Sequence, residues 1–139
     1  MEGGALALPT LSIARSRQTF LRIRAAGRLG VDDYRRFEPE FAAELKRRKG
    51  HAQPVRGTGE HATPIALLLD MRGFRGWTLG GFLRDLAWDL RNRRTFSKIA
   101  VIGDKAWHRW ITAAGAPLFR APMKYFRAGD EQRAQAWLR

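Results

Sequence analysis

Apolar and polar residues alternate with a period of two from Thr19 to Ala25. Thr19, Leu21, Ile23 and Ala25 fall on one side, and Phe20, Arg22 and Arg24 on the other. That is the mark of a half-buried strand. Leu11 to Arg17 reads as an edge strand that pairs with it in a hairpin, and Gly27 and Gly30 then signal a turn. From Val31 to Lys49 the period lengthens. Tyr34, Phe37, Phe41 and Leu45 recur three and four apart, so they share one helix face. Pro39 predicts a kink inside that helix, and Lys46-Arg47-Arg48-Lys49 before Gly50 predicts its end. Residues 51–64 are polar and rich in Gly, Pro and Thr, and predict a surface loop without a domain boundary.

Two unbroken apolar runs follow: Ile65 to Leu69, ending at Asp70, and Ile99 to Ile102, ending at Gly103-Asp104. Short runs of this kind suit strands buried on both faces. Each leads into a helix. Leu79 to Arg91 carries Leu79, Phe82, Leu83, Leu86 and Leu90 on one stripe, and Lys105 to Ala114 carries Trp107, Trp110 and Ile111. Met123 to Phe126 predicts a last strand and Asp130 to Leu138 a last helix. The order β-β-α-β-α-β-α-β-α implies an α/β domain with a mixed, mostly parallel sheet and about four helices. We expect residues 1–9 to form a flexible tail, not a signal peptide, and residues 10–139 to form one domain.

Composition adds a charge imbalance. Lys and Arg number 26 against 13 Asp and Glu, a net +13. Such a surface attracts phosphates on nucleic acid or anionic membrane. The candidate phosphate-binding residues are Arg22 and Arg24 on the early strand, Arg47 and Arg48, and Arg93 and Arg94, the last four at helix ends. There is no cysteine, and His51, His61 and His108 show no metal-ligand spacing. We expect no metal and no cofactor. With no membrane span in view, the expected compartment is the cytoplasm.

Further candidates come from position. Thr78 is placed to cap the second helix, with Trp77 stapled onto Phe82 across its first turn. A phosphate on Thr78 would be favoured by the free N–H groups there. Asp70, Arg72 and Asp104 follow buried strands, where α/β sheets hold ligands; Asp104 also reads as the cap of the third helix. Gly80 and Gly81 permit close approach of a ligand or another chain. Trp88 lies off the leucine stripe and so suggests a groove or a homodimer contact. His108, beside two tryptophans, reads as partly exposed.

Three blocks carry a family resemblance: Gly76-Trp77-x-Leu79-Gly80, Gly103-Asp104-Lys105-x-Trp107-x-x-Trp110, and Tyr125-Phe126 before the last helix. From about Phe20 to Arg139 the chain resembles the SpoIIAA-like, STAS-type domains of small bacterial proteins. The resemblance implies a non-enzymatic regulatory or scaffolding module that binds a protein partner or a small apolar or anionic ligand. The alternative is an electrostatic binder of nucleic acid or membrane. In anti-anti-sigma relatives a serine at the start of the helix after the third strand is phosphorylated. Thr78 is the matching position, but Gly76-Trp77 replaces the relatives' Asp-Ser context.

Overall fold

In a computed structural model, residues 10–14, 19–51, 64–92, 94–119 and 121–139 are described, with residues 49–51 described as backbone alone. Residues 1–9, most of the 51–64 loop with His61, and Arg93 lie outside the described residues. The elements are β1 (Thr10–Ala14), β2 (Leu21–Leu29), α1 (Val31–His51), β3 (Ile65–Asp70), β4 (Phe74–Trp77), α2 (Leu79–Arg91), β5 (Phe96–Gly103), α3 (Ala106–Gly115), β6 (Met123–Arg127) and α4 (Glu131–Leu138). Short 3-10 turns follow α3 and precede α4.

The sheet order is β1-β2-β3-β5-β6. β1 and β2 form the expected antiparallel hairpin, with Ile13 opposite Ile23. Every other pairing is parallel, including Leu67 with Ile99 and Val101 with Tyr125. The period of two in β2 divides the molecule into layers. Leu21, Ile23 and Ala25 join Leu67, Ile99 and Val101 on one face of the sheet, under Tyr34, Phe37 and Phe41 of α1 and Trp88 of α2. Phe20, Leu68, Ala100 and Ile102 pack on the other face against Ala134 and Leu138 of α4. Three helices therefore share one face, and α4 holds the other.

Several expectations are corrected. β2 does not turn at Gly27. It runs on to Leu29 with Gly27 at φ 72°, where the register with β4 slips by one residue and Gly27 N–H donates to Gly73 O at 2.8 Å. A bulge, not a turn, is what this glycine supports. β4, absent from the predicted order, is a four-residue strand beside the end of β2. α1 runs unbroken past both Pro39 and Gly50 to His51. α2 has the expected bounds but the opposite orientation. Leu79 is 78% exposed and Leu83 58%, whereas Gly81 and Trp88 are buried. Leu79, Leu83 and Leu90 of the stripe face out, because Asp85 and the Gly81–Trp88 line pack inward, while Phe82 and Leu86 at its edge turn toward the sheet. Trp110 is likewise exposed, and His108 is fully buried.

Candidate functional site

α2 begins with a built N-terminus. Thr78 Oγ accepts the Gly81 N–H at 3.0 Å, Thr78 N–H donates to Leu29 O at 2.9 Å, and the Trp77 ring packs edge-on against Phe82 with centroids 5.6 Å apart. These contacts fix where α2 starts, and its first turn is pressed against the β2–α1 corner. A β-carbon on Gly80 would lie 2.7 Å from Val31 Cγ2, and one on Gly81 would run into the Leu29 carbonyl. The two glycines thus admit the chain's own corner, not a foreign one.

Beyond that anchored end, α2 and α3 roof a cavity of about 360 Å³ over the middle of the sheet. Its floor is Ile23, Leu67, Leu69, Ile99 and Val101, and Ile111, Phe119 and Met123 close the α3 side. Phe82 lines it while remaining 45% exposed, so the cavity reaches the surface beside this ring. The volume is at the small end of ordinary ligand pockets, and the apolar walls with few polar groups are typical of them.

The polar part of the lining is concentrated at α2. Asp85 and Asp89, one helical turn apart, share a hydrogen bond. Tyr34 Oη donates to Asp85 Oδ1 at 2.6 Å, and Trp77 Nε1 donates to Tyr34 Oη at 2.8 Å. Burial raises the pKa of both carboxyls, and the Asp85 charge raises that of Asp89 further. Burial, with the Asp85 charge next, also raises that of the Tyr34 hydroxyl. Two such acids cannot both ionise cheaply in an apolar wall, so they hold a proton between them. The sequence reading missed this cluster. Its signal was an i, i+4 pair of acids on the same helix side as Gly81 and Trp88.

Of the sequence-derived candidates, Trp77 and Trp88 line the cavity. Trp88 is core as well, 9% exposed and packed in tilted and edge-on contacts among Phe37, Phe41 and Phe96, so it offers little surface to a second copy. Asp70 and Arg72 do not edge the cavity; they lie on the α4 side. Asp70, 1% exposed, accepts from Arg72 Nη2 at 2.7 Å, Arg72 Nε at 2.9 Å and Arg22 Nη2 at 3.0 Å. Glu131 accepts from both arginines at 2.9 Å. Burial would raise the Asp70 pKa, but the Arg72 hydrogen bonds and charge outweigh it and hold it below the ordinary value. Arg22 is thus consumed by a structural network, not displayed for phosphate. Arg47 and Arg48 are paired with Glu44. Arg24 and Arg94 are exposed.

Asp104 does not cap α3, whose N-cap is Lys105 without a side-chain bond. Its carboxylate accepts from Gly73 N–H at 3.3 Å, and its own N–H donates to His108 Nδ1 at 3.2 Å. His108 Nε2 lies 2.9 Å from Phe74 O, so the ring is spent tying β4 to α3. Among the described residues no group of three or more metal-ligating side chains occurs, and no helix is long and apolar enough to cross a membrane.

A mixed sheet with three helices on one face and one on the other, together with an apolar chamber lined by described residues, defines a small α/β domain. The SpoIIAA-like family model matches residues 20–139, and the chain belongs to that family. Its members are in general non-enzymatic binding and regulatory domains. The fold is also similar to that of a crystal structure from Shewanella loihica PV-4, an uncharacterised protein of the DUF3478 family with a SpoIIAA-like fold. The TM-score is 0.74 at 24% identity, over 95% of this chain and 96% of that one. No curated protein matches the sequence.

Proposed function

We propose that the protein is a non-catalytic module that holds a small, largely apolar ligand in the chamber between the sheet and α2–α3. The chamber itself carries this reading: about 360 Å³ walled by Ile, Leu, Val, Phe and Met side chains and opening beside an exposed phenylalanine. Removing apolar ligand surface from water supplies about 25 cal/mol per Å², and a preformed wall costs little to order. A catalytic role would need a nucleophile or base converging on a bound substrate. The acids and the tyrosine at the wall are engaged with one another instead.

The test is fluorescence enhancement of an uncharged naphthylamine dye by the wild type and by Leu69→Trp, which fills the floor. Saturable one-to-one enhancement, lost in Leu69→Trp while far-UV circular dichroism is unchanged, is expected. Equal enhancement by a folded Leu69→Trp protein would place the dye elsewhere and end the reading. If the purified protein instead retains nucleic acid that is released by salt, the electrostatic alternative gains the ground.

A further inference from the structure

The polar atoms of the chamber are unevenly matched. The polar side chains lining it are Tyr34, Trp77, Asp85, Asp89 and Thr112, together with the Trp88 indole. Three of their donors are already spent: Tyr34 on Asp85, Trp77 on Tyr34, and Thr112 Oγ on His108 O at 2.7 Å. Among the described side chains the Trp88 N–H is the donor left over. Against it stand four carboxyl oxygens, of which Tyr34 occupies one and the mutual Asp85–Asp89 bond engages others. Among the described residues no Lys or Arg lines the chamber, although the protein carries a net +13. The cavity makes the site, and the two acids decide what head group it accepts.

We infer that the ligand, on the chamber reading above, is a single-chain amphiphile whose head donates hydrogen bonds and bears no negative charge: an alcohol or an ammonium. Such a head donates to Asp85 or Asp89 while its chain lies over Leu67, Leu69, Ile99 and Val101. A carboxylate or phosphate head would meet one free N–H and two acids. Buried acceptors facing an acceptor are left unsatisfied, which costs more than a lost contact. The surface charge acts the other way, since it concentrates anions around the protein. A preference for a non-anionic head therefore has to arise inside the chamber.

Dodecylamine, dodecanol and dodecanoate share one chain and differ only in the head. Displacement of the bound naphthylamine dye by each, below its aggregation limit at neutral pH, ranks them. Amine or alcohol should bind at least tenfold tighter than carboxylate. Asp89→Asn supplies an amide donor and removes an acid without changing shape, so it should narrow or reverse that ranking. Dodecanoate binding within threefold of both others, or a ranking untouched by Asp89→Asn, overturns the head-group inference while leaving the chamber reading intact. Failure of all three to displace the dye overturns both. The amine and alcohol arms separate charge from hydrogen bonding.

Discussion

Gly81 is the sharpest point at which to test how α2 is seated. A methyl group there would penetrate the Leu29 carbonyl oxygen and sit 3.0 Å from Gly30 Cα, both backbone atoms of the β2–α1 corner. No side-chain rotation relieves such a contact. Either α2 lifts or the corner moves, and moving Leu29 breaks the bond that its carbonyl accepts from Thr78 N–H. Overpacking against backbone costs about 3 kcal/mol, and the broken bond about 1 kcal/mol more. Helix propensity returns about 1 kcal/mol, since alanine is the better helix former. Gly81→Ala should therefore lose about 3 kcal/mol, a fall in Tm of roughly 10 °C for a domain of this size. Gly115 is the control: it has helical angles and open space where a β-carbon would lie. Gly115→Ala should gain about 0.5 kcal/mol by restricting the unfolded chain. Urea and thermal unfolding followed by circular dichroism measure both. A Gly81→Ala protein as stable as the wild type would refute this account of how α2 is anchored.

Substitutions at two further positions address the polar framework. Asp70→Asn leaves the Arg22 and Arg72 guanidiniums with Glu131 alone, and should cost about 3 kcal/mol, as expected for breaking a buried pair. Because Asp70 and Glu131 both titrate below their ordinary values in the folded state, their stabilisation is complete above the unfolded carboxylate range, near pH 4, and is lost as pH falls through the folded values. Stability measured from pH 7 to pH 2 should fall less steeply in Asp70→Asn than in the wild type. Thr78→Ala removes the N-cap acceptor from Gly81 N–H and should lower the unfolding free energy by about 1 kcal/mol, read from the urea midpoint, while Thr78→Ser retains most of it.

Much of the architecture was legible because burial on both faces leaves continuous apolar runs. Ile65 to Leu69 and Ile99 to Ile102 could be little else than central strands. β4 was not legible: four residues containing Arg75 and Gly76 carry no period, and its pairing with the end of β2 skips Arg75. In α2 the spacing revealed a stripe but not which way it points. A periodicity argument assumes that the apolar side is inside, and here small Gly81 and the Asp85–Tyr34 bond take the inner side instead. The same assumption hid the chamber, whose polar corner pairs Tyr34 with two acids of α2 that lie off the leucine stripe. His108 shows the complementary failure: two backbone groups satisfy its ring, and a partner of that kind leaves no trace in residue types.

The far face of the sheet has a consequence for the order in which the molecule forms. Leu68, Ala100 and Ile102 are covered by α4, and Asp70, deep in the same layer, depends on arginines that Glu131 helps to hold. Arg22 and Glu131 are 109 residues apart. A nascent chain that has not yet released Glu131–Leu138 from the ribosome exposes half of its central strands. Contacts of such long sequence separation are slow to close. The domain therefore completes its folding only when α4 docks, and until then one face of the sheet lacks its cover.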